Sequence, residues 1–129
     1  MAPFRVLVAN EPALYREVLV AAFAQLRPHA EVVAVEPAAL DTAVRDRAPH
    51  LVICSRLSAL VEASAPAWVV LYPGGEDRAV VRVGGRRTET RGLEFPGLLA
   101  VLDDAARRAG AASGSFEGGE DGSFTGCRA

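Results

Sequence analysis

Apolar and polar positions change period several times along the chain, and those changes divide it into elements. Residues 4–9, with Val6, Leu7 and Val8 at the centre, make a short apolar run of strand type. Beyond it Leu14, Val18, Leu19, Ala22, Phe23 and Leu26 recur at helical spacing, which predicts a helix over 12–26 with that stripe turned inward. Asn10 suits a cap of this helix and Pro12 its first turn. Residues 31–35 read as a second strand, and 37–47 as a second helix facing inward through Leu40, Ala43 and Val44. On its outer side Asp41 and Arg45 stand four apart, at the spacing of a helical ion pair.

The third run is Leu51-Val52-Ile53-Cys54, ending in Ser55. An unbroken apolar run of this length reads as a strand buried on both faces of a parallel sheet. Its last residue is then delivered to the sheet edge where doubly wound proteins place their sites. Residues 57–65 leave room for about two helical turns, and 68–72 form a fourth strand ended by Pro73-Gly74-Gly75. After this the period drops to two. Residues 79–83 and 86–91, joined by Gly84-Gly85, read as a β-hairpin with a type I′ or II′ turn. A last helix over 96–109 carries Leu98, Leu99, Leu102 and Ala105 or Ala106 as its buried stripe.

The alternation predicts a three-layer α/β fold. Its sheet is mainly parallel in the order 2-1-3-4-5, with helices on both faces, a C-terminal β-hairpin at one edge and a final helix. Residues 1–109 form the domain on this reading. Residues 110–129, rich in Gly, Ser, Ala and acids, read as a disordered tail by composition.

At 129 residues one core is the expectation. Half the residues are apolar, 23% are charged and the net charge is -2, so bulk attraction to nucleic acid or to an anionic membrane is not expected. The fourteen basic residues are all arginine. That excludes lysine Schiff bases and Walker-type phosphate binding. The two cysteines, Cys54 and Cys127, suggest no disulfide framework and fit a reducing cytoplasm. No apolar stretch reaches the roughly 18 residues of a membrane span.

Residues 5–17, beginning Arg5-Val6-Leu7-Val8-Ala9-Asn10-Glu11-Pro12, resemble the start of a response-regulator receiver domain. Ala48-Pro49-His50-Leu51-Val52-Ile53-Cys54-Ser55 resembles the strand that delivers that family's phosphoacceptor aspartate. The likeness covers residues 4–72, and it implies a flavodoxin-like fold in two-component signalling. It also implies which positions should carry the chemistry, and those positions depart from the pattern. Asn10 and Glu11 stand at the acidic pair that holds Mg²⁺, Ser55 at the phosphoacceptor, and Tyr72 at the switch hydroxyl. The lysine expected at the end of the fifth strand has no counterpart. Aspartyl-phosphate chemistry needs a carboxylate nucleophile and cations around the phosphoryl group. The expectation is therefore a pseudo-receiver with no catalytic residue, no metal and no cofactor.

Each position also has a plainer reading. Asn10 and Glu11 fit helix capping and a first-turn acid, Ser55 a cap for the helix from Leu57, and Cys54 a buried inert thiol. Gly74 and Gly75 offer backbone N–H groups to a ligand at the edge, or form a simple loop. His29 and His50 read as surface residues without metal spacing. The arginines of the hairpin are nearly balanced by acids and read as edge protection.

Three functions compete on this basis. The leading expectation is a phosphorylation-independent protein-interaction module of signalling or transcriptional regulation, its partner another protein or a second copy. The alternative is a sensor binding a small ligand or nucleotide at Asn10, Glu11, Ser55, Tyr72 and Gly74. A hydrolase using Ser55 or Cys54 lacks a nucleophile elbow and a triad histidine, so no enzyme is expected.

Overall fold

The computed structural model describes residues 3–72 and 76–114. Six strands form one sheet: β1 (Phe4–Ala9), β2 (Ala30–Ala34), β3 (Leu51–Cys54), β4 (Ala67–Leu71), β5 (Arg78–Val83) and β6 (Arg86–Arg91). Their order is β2-β1-β3-β4-β5-β6. The pairs β1–β2, β1–β3 and β3–β4 are parallel, whereas β4–β5 and β5–β6 are antiparallel. The expected order is present and is extended by β6, but the sheet is mixed and not of the all-parallel flavodoxin type. The reason is chain length. Only residues 72–77 separate β4 from β5, and a parallel return needs a crossover of a dozen residues or more. The chain therefore has to reverse.

Among the described residues four α-helices cover the two faces. On one, Leu19 and Phe23 of α1 (Ala13–Leu26) and Leu98, Leu102 and Ala105 of α4 (Phe95–Gly114) pack on Val6, Val8, Leu51, Ile53, Val69 and Val81. On the other, Leu40 and Val44 of α2 (Leu40–Arg47) and Val61 of α3 (Ala59–Ser64) pack on Leu7, Val52, Cys54, Trp68 and Val70. A 3₁₀ turn, Pro37–Ala39, leads into α2. Alternate residues of each central strand thus enter opposite cores, as expected of a sheet buried on both sides.

The stripe expected on α1 is only half buried. Leu19 and Phe23 face the sheet, but Leu14, Val18 and Leu26 are 72%, 54% and 49% exposed. The sequence Ala-Leu-Tyr-Arg-Glu-Val-Leu-Val-Ala-Ala-Phe-Ala-Gln-Leu is apolar on most sides, so spacing alone leaves the inward face open, and the bulk of Phe23 against Phe95 decides it. The Asp41–Arg45 pair does not form; Asp41 instead accepts the hydroxyl of Ser58 at 2.7 Å. Helix α4 runs to Gly114, five residues past the expected boundary, and residues 115–129 of the expected tail lie outside those described.

The hairpin forms at the expected position. Gly84 and Gly85 have φ of 63° and 78°, the two positive values of a type I′ turn. The positive φ is the reason for glycine at 84; a Cβ there would meet only the guanidinium end of Arg108, a flexible side chain that can move aside.

Candidate functional site

The C-terminal ends of β1, β3 and β4 meet at one edge of the sheet, and this edge gathers Asn10, Glu11, Ser55 and Tyr72. Asn10 follows directly on β1 and is wholly buried. It does not cap α1; Pro12 occupies that place and no side chain bonds the first turn. Its Nδ2 donates to Ser55 Oγ at 3.4 Å, while Oδ1 has no partner among the described residues. The backbone N–H of Glu11 donates to the same Ser55 oxygen at 2.9 Å. A serine oxygen has two acceptor lone pairs, and both are engaged from β1. Ser55 therefore ties the end of β3 to the end of β1, and it does not cap α3. That role falls to Ser58, whose Oγ accepts from Val61 N–H at 3.1 Å. The helix begins at Ala59, two residues later than expected, and this puts Ser58 and not Ser55 at the capping position.

Tyr72 stands at the end of β4, but its hydrogen bonds go elsewhere than to this knot. It adopts a left-handed backbone with φ of 55°, which turns the chain sharply after β4. Its N–H donates to the carbonyl of Arg78 at 2.9 Å, and its hydroxyl donates to the carbonyl of Leu93, just before α4. The Tyr15 ring lies 6.4 Å away, and burial, with Tyr72 beside it, raises the Tyr15 phenol above its ordinary value. Gly74 and Gly75 lie outside the described residues. The reversed β5 brings its first residue, Arg78, to this edge, where a receiver would place a lysine. Arg78 is held by Glu76 at 3.1 Å and Glu89 at 3.2 Å.

Beside this knot lies a cleft of about 390 Å³, lined among others by Glu11, Pro37, Asp41, Ser55, Arg56 and Ser58. It sits between β1 and β3, where the strand order reverses and open α/β sheets bind ligands. Asp41, Arg56 and Ser58 were not singled out from the sequence as site residues; Arg56 and Ser58 follow closely on β3, whereas Asp41, in the first turn of α2, carries no such signal. Among the described residues no three His, Cys, Asp or Glu side chains converge as a metal site. Cys54 is buried, with its sulfur 3.7 Å from the carbonyl of Val69, and burial pushes its thiol up to about 12. A thiol so placed is a packing group.

At the opposite end of the sheet His50 is half-buried, not a surface residue. Its Nδ1 accepts the backbone N–H of Arg5 at 3.0 Å and its ring stacks on Phe4. Burial, and secondarily Arg5, lowers its pKa. Among the described residues no helix is long and apolar enough to cross a membrane. No family model, no curated protein and no solved structure matches the chain.

Proposed function

We propose that the chain is a protein-interaction module of signalling or transcriptional regulation, built on a receiver-like scaffold and unable to carry a phosphoryl group. One observation carries this reading. The hydroxyl at the phosphoacceptor position, Ser55 Oγ, has its lone pairs engaged by Glu11 N–H and the Asn10 amide, in place of a carboxylate beside an acidic pair. Reversal of β5 adds to it, since Arg78, the cation it brings to this edge, is held by Glu76 and Glu89. A receiver relays the state of its acceptor to a partner surface. Here the acceptor is bound into the fold, so the partner surface is permanent. Incubation with acetyl phosphate and Mg²⁺, followed by intact mass measurement, tests this. An unmodified mass is expected, and a stoichiometric phosphoryl adduct would sink the reading.

A second reading, a sensor for a small ligand or nucleotide, is favoured by the cleft at the β1–β3 junction, which Glu11, Ser55 and Arg56 line. Thermal-shift measurements against nucleotides and common metabolites test it. Stabilisation by one of them, lost in an Arg56→Ala variant, is its signature.

A further inference from the structure

The hairpin register sets Arg78 opposite Arg91, Val80 opposite Glu89 and Arg82 opposite Arg87. Side chains alternate across a strand, so these six share one face. Val80 packs with Trp68, Leu40, Val44 and Val61, which identifies it as the face that carries α2 and α3. Beyond those helices β6 is exposed along its whole length. Like charges directly opposite each other weaken an antiparallel pair, and two such oppositions lie on this one surface. Only Arg78 is neutralised, by Glu76 and Glu89 together. Arg82, Arg87 and Arg91 have no carboxylate partner among the described residues. Edge protection accounts for charges on β6. It does not account for Arg78 and Arg82, because β5 lies between β4 and β6.

We propose that this face docks an acidic polypeptide segment of a partner protein, with one carboxylate between Arg82 and Arg87 and a second at Arg91. The proposal gives the interaction-module reading a surface and a partner chemistry, and it rests on that reading for the partner being a protein. The two arginine pairs stand four residues apart along β5, about 13 Å at the rise of a strand. An extended segment with acidic side chains four residues apart spans them. Each guanidinium presents a planar fork that fits a carboxylate. Arg87 is partly fixed beforehand, its guanidinium carbon 5.9 Å from the centre of the Trp68 ring. Glu89 stands between the pairs and repels a continuous phosphate backbone, whereas spaced carboxylates pass to either side of it. A nucleic acid is the poorer fit.

The test uses the full chain and a fluorescein-labelled peptide with two glutamates four residues apart in a Gly/Ser background. Its counterpart carries glutamine, and a single-stranded oligonucleotide serves as the competing polyanion. Anisotropy should show saturable binding of the glutamate peptide alone, weakened by added salt. Arg82→Gln/Arg87→Gln should weaken it at least tenfold, and Arg86→Gln, on the other face, should leave it unchanged. The double variant relieves an opposition of like charges and loses the Arg87–Trp68 contact, two small opposing effects, so its cooperative unfolding should be retained with a melting temperature within a few degrees, which separates lost docking from lost fold. Four outcomes would overturn the proposal: no saturable binding, equal binding of the glutamine peptide, an equal loss in Arg86→Gln, or tighter binding of the oligonucleotide through Arg82 and Arg87. A fifth would as well: peptide binding more than tenfold tighter after Glu117→Gln, Glu120→Gln and Asp121→Asn, which would give the face to the chain's own segment. A phosphoryl adduct with peptide binding intact would sink the interaction-module reading alone. An unmodified mass without peptide binding would sink this inference alone.

Discussion

Removing one oxygen, in Ser55→Ala, tests whether the strand-end knot is structural. Ser55 Oγ accepts two hydrogen bonds, and the donors differ in what they lose. Glu11 is exposed, so water can replace the serine at its N–H, at a cost of about 0.5 kcal/mol. Asn10 is wholly buried, and Ser55 is the partner of its Nδ2. Its Oδ1 already lacks one, so the substitution strands the whole amide. An unsatisfied buried donor costs about 1–3 kcal/mol. The 3.4 Å separation marks a long hydrogen bond, which places the loss in the lower half of that range. The sum is about 1.5–2.5 kcal/mol.

Urea denaturation of the full chain should register this as a lower midpoint with an unchanged slope. The companion variant Asn10→Ala/Ser55→Ala removes the stranded amide together with its partner. It should cost clearly less than the two single variants added together, because the penalty for an orphaned donor vanishes. Strict additivity would refute the coupling. A neutral Ser55→Ala would show that the hydroxyl is not holding the strand ends together, and would reopen it as a reactive group.

Phe23→Ala empties a fully buried site against the Phe95 ring, 5.2 Å away, and should cost about 3–5 kcal/mol, whereas Leu14→Ala, on the exposed side of α1, should cost under about 0.5; calorimetry separates the two. Cys54, its thiol pushed up to about 12 from an ordinary 9.0, should hold roughly a thousandfold less thiolate at pH 8. In a Cys127→Ser background a disulfide reagent should therefore react only as fast as the protein unfolds. His50 is kept neutral by burial and by Arg5, with its pKa below the ordinary 6.5. Its contribution is complete above that ordinary value and declines as pH falls through it toward the lowered one, so the melting temperature should begin to drop as pH falls below 6.5. A His50→Gln variant should flatten that limb; an identical limb in both proteins would contradict the assignment.

Much of the fold was legible because local chemistry and global placement agree. Two glycines between alternating runs specify a type I′ hairpin, and Gly84 and Gly85 adopt it. Four apolar runs separated by helical periods specify parallel strands, and three parallel pairings join them. The inward face of α1 was not legible, because a helix apolar on most sides encodes no direction and the choice is made by packing. The direction of β5 was written in the length of the 72–77 connection more than in any residue type. At the site, the sequence brought Asn10, Glu11, Ser55 and Tyr72 to one edge, but their hydrogen bonds could not be read from spacing. Whether a serine caps a helix or clasps a neighbouring strand depends on where the backbone turns.

The reversal after β4 also divides the sheet by how far its partners lie apart along the chain. Leu71 meets Ala79 across the β4–β5 pair, and Val83 meets Arg86 across the hairpin. Val6, by contrast, has to find Leu51. Closing a short loop takes less chain entropy and less time than closing a long one. The C-terminal strands therefore form a local meander that can assemble before the parallel half has found its register, and β4, paired with β3 on one side and β5 on the other, joins the two halves.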